Sequence, residues 1–168
     1  MTEYIAVRLD RGQDLRKEIK RIVKEHHIEA GFIATAVGCL QKLHIRLAEV
    51  NGANPRLLRE NENFEVTSLT GTLSLDGVHI HIGIADSKGN ALGGHLLDGC
   101  EVYYYVELVI AAIKQRKFNR IWHAPPLDSE DEGTFEPDHK ESNSEGEEGD
   151  ADDCCRRQPK KPKIDEKI

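Results

Sequence analysis

No uninterrupted apolar run opens this sequence. Its first ten residues, Met1-Thr2-Glu3-Tyr4-Ile5-Ala6-Val7-Arg8-Leu9-Asp10, already carry three charges, which fits neither a signal peptide nor a membrane span. The expectation is an intracellular protein with no membrane partner. Cysteine is sparse, and its spacing is uninformative: Cys39, Cys100 and the adjacent pair Cys154-Cys155 match neither a disulfide framework nor a CxxC zinc knuckle. Reduced thiols are expected. Neither GxxxxGK[ST] nor GxGxxG occurs, so nucleotide binding is unsupported. No Ser/His/Asp set can be assembled, and Cys39 and Cys100 sit among apolar or glycine-rich neighbours as packing thiols do. No catalytic residue can therefore be named.

Charge divides the 168 residues into two parts. Residues 1–123 hold 16 Lys and Arg against 15 Asp and Glu, whereas residues 124–168 hold 7 against 15. The whole net charge of −7 thus belongs to the C-terminal stretch. A nearly neutral body of this length suffices for one domain with its own core. After Ala124-Pro125-Pro126, residues 128–153 carry 13 acidic side chains against Lys140 alone, too little apolar surface to offset the entropy of folding. We expect one domain over 1–123 and a disordered acidic tail over 124–168. The tail ends in Arg156-Arg157-Gln158-Pro159-Lys160-Lys161-Pro162-Lys163, a basic cluster of the nuclear-import kind. Ser129, Ser142 and Ser144 each have a glutamate three positions on, as acidophilic kinases require; phosphorylation would deepen the negative charge.

Within the body, Tyr4–Leu9 reads as a strand and Asp14 as the opening of a helix. In that helix Leu15, Ile19, Ile22 and Val23 form an apolar stripe, opposite a basic face of Arg16, Lys17, Lys20, Arg21 and Lys24. Such a face is most often simply solvated, with nucleic-acid contact the minor alternative. Gly31–Gly38 and Leu43–Leu47 predict two further strands. Phe64–Leu75 and Val78–Ile84 predict a hairpin turning at Asp76-Gly77. Val102–Ile110 predicts a strand, after which Ala111-Ala112-Ile113 would also suit a helix. The body reads as α+β, dominated by one sheet with one main packed helix.

Three histidines draw attention. His79 and His81, two apart on a strand, point to one face with Cα atoms about 6.5 Å apart, within reach of a common ion. His95 follows a loop, and Gly93-Gly94 before it allows close backbone approach. Three imidazoles with an open fourth position suit reactive zinc rather than structural zinc. Taken alone, the pattern fits half-exposed strand histidines with ordinary hydrogen bonds at least as well, because ligation needs all three within reach. The remaining histidines lack a partner in the sequence: His26-His27 ends the helix, where a cation suits the dipole, His44 lies on a strand, and His123 and His139 lie at or past the domain boundary. Glu107 interrupts an apolar run and is expected to be buried, as a partner of Arg46 or Arg120 or behind a metal-binding histidine. Glu65 raises the same expectation more weakly.

The ordered series Leu69-Thr70-Gly71-Thr72-Leu73-Ser74, Gly77-Val78-His79-Ile80-His81, Gly93-Gly94-His95-Leu96 and Glu107-Leu108-Val109-Ile110 resembles the PPC (plants and prokaryotes conserved) domain, from about Tyr4 to Trp122. The resemblance implies a compact α/β fold with a curved antiparallel or mixed sheet, a helix packed on it and a homotrimer. In plant members this domain follows AT-hooks and mediates trimerisation and contacts with transcription factors. Their Arg-Gly-Arg-Pro core is missing here, with Arg157-Gln158-Pro159 only a faint echo. Prokaryotic members keep three histidines similar to a zinc-binding set, which carries over to His79, His81 and His95. The same broad fold group includes zinc enzymes such as acetolactate decarboxylase and a nuclear ester hydrolase.

The sequence therefore reads first as a homotrimeric, nuclear, zinc-holding interaction module for other proteins such as transcription regulators, with DNA a further partner class. The alternative is a zinc-dependent hydrolase or lyase acting on a small carbonyl or ester substrate.

Overall fold

Asp14 opens the helix as expected. Its carboxylate accepts from the backbone N–H of Lys17 at 3.0 Å, and helix α1 runs Leu15–Glu25. His26 caps it, and His27, at φ 49°, turns the chain out. The computed structural model describes residues 1–48, 56–121 and 134–137. Around α1 lie strands β1 (Thr2–Asp10), β2 (Gly31–Arg46), β3 (Leu57–Glu60), β4 (Phe64–Ser74), β5 (Gly77–Ala85), β6 (Ala91–Leu96), β7 (Glu101–Ile113), β8 (Phe118–Ile121) and β9 (Thr134–Pro137). No helix among the described residues is long and apolar enough to cross a membrane.

Seven strands form one antiparallel sheet in the order β1-β7-β2-β4-β5-β6, with β3 beside the end of β2. The far end of β2 also pairs with β6 through Ile45–Leu96 and Arg46–His95. The sheet thus curls until β2, β4, β5 and β6 close on themselves. One face is apolar: Leu9, Leu73, Ile80, Val106 and Ile110 are fully buried with Leu15, Ile19 and Ile22 of α1. Each such side chain contributes about 2 kcal/mol on burial. The other face, here called the outer face, exposes Tyr4, Phe32, Val37 and Tyr105.

Several elements differ from the expected ones. Gly31–Gly38 and Leu43–Arg46 belong to one strand, with Leu47 just past its end, because irregularities near Gly38 and Leu40 shift the register without ending the pairing with β7. A bulge carries a strand past small residues that look like a break. Ala111-Ala112-Ile113 continue β7, paired with Tyr4, Glu3 and Thr2 of β1; cross-strand pairing overrides the helix preference of alanine. The hairpin turns one residue earlier than expected, on Leu75-Asp76, with Gly77 opening β5 opposite Ser74.

Strand β9 lies within the stretch expected to be disordered. It pairs antiparallel with β8, setting Arg120 opposite Phe135. Thr134 and Phe135 are strand-favouring residues in a locally less acidic segment, and β8 supplies a ready edge. The remainder of the tail, including the basic cluster and the three serines, lies outside the described residues.

Candidate metal centre

Alternation along β5 creates the site. Val78, Ile80, Ile82 and Ile84 point into the core, so His79 and His81 point outward and are exposed. After β5, Asp86 pins the loop by accepting from the backbone N–H groups of Lys88 and Asn90, each at 2.8 Å. The chain returns as β6, which places His95 opposite His81. That strand is wedged between β5 and the end of β2: a Cβ on Gly93 would meet the Ile82 carbonyl oxygen, and one on Gly94 would stand 2.6 Å from that of Arg46. The diglycine therefore sets how far His95 advances over the site.

The three imidazoles converge. Ring centroids are 5.0, 5.1 and 5.4 Å apart, and one ligand nitrogen from each ring lies within 4.8 Å of the others. Nε2 of His79 is 3.1 Å from Nε2 of His81. Two nitrogens sharing a tetrahedral zinc at about 2.05 Å stand about 3.3 Å apart, so the His79–His81 pair fits such an ion with little adjustment, and His95 offers its nitrogen within 4.8 Å of both. The same 3.1 Å separation also suits an N–H donated from one ring to the other. His95 is buried at 5% exposure, whereas His79 and His81 face outward. Three imidazoles leave the fourth tetrahedral position to a group beyond this set.

The two carboxylates singled out in the sequence lie elsewhere. Glu107 is exposed rather than buried, because only one face of β7 is covered: Val106 and Leu108 point inward and Glu107 outward. Its cross-strand neighbours are Arg8 and Val37, and neither Arg46 nor Arg120 is among them. Glu65 is also exposed, opposite Ala85, which is four residues and about 13 Å along β5 from His81. Both line a cleft of about 300 Å³ with Val37, Gly38, Cys39, Tyr104 and Tyr105, apart from the histidines.

Three of the five basic side chains on α1 are ion-paired among the described residues. Arg16 and Lys20 contact Asp98 at 3.0 and 3.1 Å, and Arg21 contacts Glu18 at 2.7 Å and Glu25 at 2.5 Å. Asp98, which nothing in the sequence flags, ties the helix to the segment following β6. Burial works to raise its pKa, but hydrogen bonds and charge from Lys20 and Arg16 prevail and hold the carboxyl below its ordinary value. Its backbone oxygen accepts from Nδ1 of His44 at 2.7 Å, and Nε2 of His44 accepts from Nε of Arg59 at 3.0 Å. Cys100 exchanges hydrogen bonds with the His44 backbone, and burial pushes its thiol up to about 12. It packs and does not react.

The Plants and Prokaryotes Conserved (PCC) domain matches residues 2–114. A curated relative, the bifunctional protein GlmU of a Synechococcus species, is 40% identical over 114 residues, 68% of this chain. The chain spans 17% of the length of that relative. Among solved structures, a hypothetical protein from Salmonella enterica superposes with a TM-score of 0.67 at 32% identity, covering 71% of this chain and 84% of that one. A metal-containing protein from Archaeoglobus fulgidus gives 0.64 at 26% identity, covering 82% and 94%. With more than half its length matched, the chain belongs to the Plants and Prokaryotes Conserved domain family.

Proposed function

We propose that this chain is a zinc-holding, homotrimeric interaction module that receives other proteins, transcription regulators among them. The observation that carries the metal part is the convergence of His79, His81 and His95 from two adjacent strands. The Archaeoglobus relative, described as metal-containing, supports it. Assembly is supported by the exposed apolar outer face, on which Tyr4 is 66% and Val37 56% accessible; such surface on a small domain marks contact with a partner. Modularity is supported by the match to a short stretch of a much longer relative. DNA stays a secondary partner in this reading, because Arg16, Lys20 and Arg21 of the basic face of α1 are engaged in ion pairs within the chain. The basic cluster 156–163 is assigned to nuclear import.

Exposure of His79 and His81 on the outer face favours a second reading, a zinc-dependent hydrolase or lyase. Zinc held by three imidazoles would polarise a small carbonyl or ester. Metal analysis of the purified chain decides the shared part. Close to one zinc per chain is expected, with loss in His95→Ala. Stoichiometric zinc in that variant, or none in the wild type, refutes it. An ester and keto-acid activity screen then separates module from enzyme.

A further inference from the structure

Two arginines flank the three histidines on the outer face. In the β4–β5 ladder Thr72 stands opposite His79, and Thr70 opposite His81. Leu69, Leu73 and Gly71 take the inward positions of β4, so both threonines share the face of the histidines. Arg120, on β8 beyond the matched domain, donates from Nη2 to the Thr72 carbonyl oxygen at 3.2 Å and to its Oγ1 at 3.1 Å. Directly opposed side chains on one face have Cβ atoms about 5 Å apart. Arg120, a residue only 5% exposed, thus brings its guanidinium to the residue directly across from His79. On the other flank Arg46 stands opposite His95 in the short β2–β6 ladder. Opposed residues share a face, so its half-buried side chain comes to the same region.

Among the described residues, the cross-strand neighbours of the three histidines are Thr72, Thr70 and Arg46, besides the His81–His95 pair itself, and none of these is acidic. A divalent ion on neutral imidazoles keeps its full charge, and two guanidiniums beside it add to the positive potential. A cationic or purely apolar ligand would be disfavoured there, whereas the planar fork of arginine matches a carboxylate or phosphate.

We infer that the metal centre takes a small oxyanion, a carboxylate or phosphate group, at the open coordination position, with Arg120 and Arg46 as its charge-complementing residues. This rests on the reading of His79, His81 and His95 as a metal site. It extends that site to β8 and to the end of β2, and under the enzyme reading it makes the substrate anionic.

The test uses the full chain loaded with cobalt(II), whose visible spectrum reports its ligands. Pyruvate and inorganic phosphate are titrated as the two oxyanion sources, and imidazole as a neutral ligand. Wild type should show saturable spectral changes with at least one of the two anions. Arg120→Gln and Arg46→Gln should each weaken that anion at least about tenfold, with cobalt content and imidazole affinity unchanged. Arg120→Lys, which keeps the charge at the buried position, should recover part of the loss. Because Arg46 is half-buried, its variant tests the inference even where Arg120→Gln misfolds. Cobalt-loaded variants that bind the anions as wild type does overturn the inference alone. A chain that takes up no cobalt overturns the metal reading, and this inference with it.

Discussion

Gly94 lies against the carbonyl oxygen of Arg46, so close that a side-chain carbon there would stand 2.6 Å from it. A methyl group must push β6 away from β2, and His95 is the next residue along β6. Gly94→Ala should therefore lower zinc affinity by about tenfold although all three donors remain, the size of effect expected when the support of a ligand is displaced. Competition against a chromophoric chelator measures this. Unchanged affinity would mean that the histidine cluster tolerates movement of β6.

Much of this site was legible because strand periodicity is simple. The alternation Val78-His79-Ile80-His81-Ile82 fixed two imidazoles on one face, and the following glycines pointed to close strand approach. Glu107 misled because a carboxylate within an apolar run looks buried whichever face it occupies; only the bare outer face of β7 explains it. In the sequence, Arg120 stands out only as a partner for Glu107. Among the described residues it donates to Thr72, 48 residues earlier in the chain, a contact that depends on β8 folding back across the sheet and leaves no local pattern. Asp98 carries no local signal for the same reason, since its partners lie 78 and 82 residues away.

Asp98 gives a pH-dependent prediction. Its carboxyl titrates below its ordinary value in the folded chain, so its stabilising contribution is present above the ordinary carboxyl range and is lost as pH falls through the lowered value. Asp98→Asn should cost about 1–3 kcal/mol near neutrality, because the hydrogen bonds from Arg16 and Lys20 lose their charged acceptor. The difference between wild type and variant should shrink on acidification to about pH 3. Thermal melts at both values test it, and a gap that is constant or grows toward acid contradicts the assignment.

Val37 is 56% exposed in the middle of the outer face, and Phe32 is 40% exposed on the same strand. If this face joins the copies of a homotrimer, Val37→Lys should shift the solution mass from about three chains to one. The helical and strand content should not change, since an exposed substitution typically alters stability by no more than about 0.5 kcal/mol. Light scattering coupled to size exclusion, with circular dichroism on the same samples, gives the answer. A wild-type monomer, or a variant that remains trimeric, removes this face as the interface.

The final prediction separates two parts of the C-terminal stretch. Strand β9 pairs with β8, and β8 brings Arg120 to Thr72. Truncation after residue 121 deprives β8 of its ladder and should loosen that contact, costing about 1–2 kcal/mol and lowering the melting temperature. Truncation after residue 137 retains β9 and removes only sequence too acidic and too poor in apolar residues to form a core of its own. Its melting temperature should match that of the full chain. Because the segment removed contains Arg156–Lys163, it should also abolish nuclear enrichment of a fluorescent fusion, and substituting glutamine for the basic residues of that segment alone should do the same. Equal melting temperatures for both truncations would show that β8 holds its place without β9. Nuclear enrichment that survives the glutamine substitutions would leave the basic cluster without its import role.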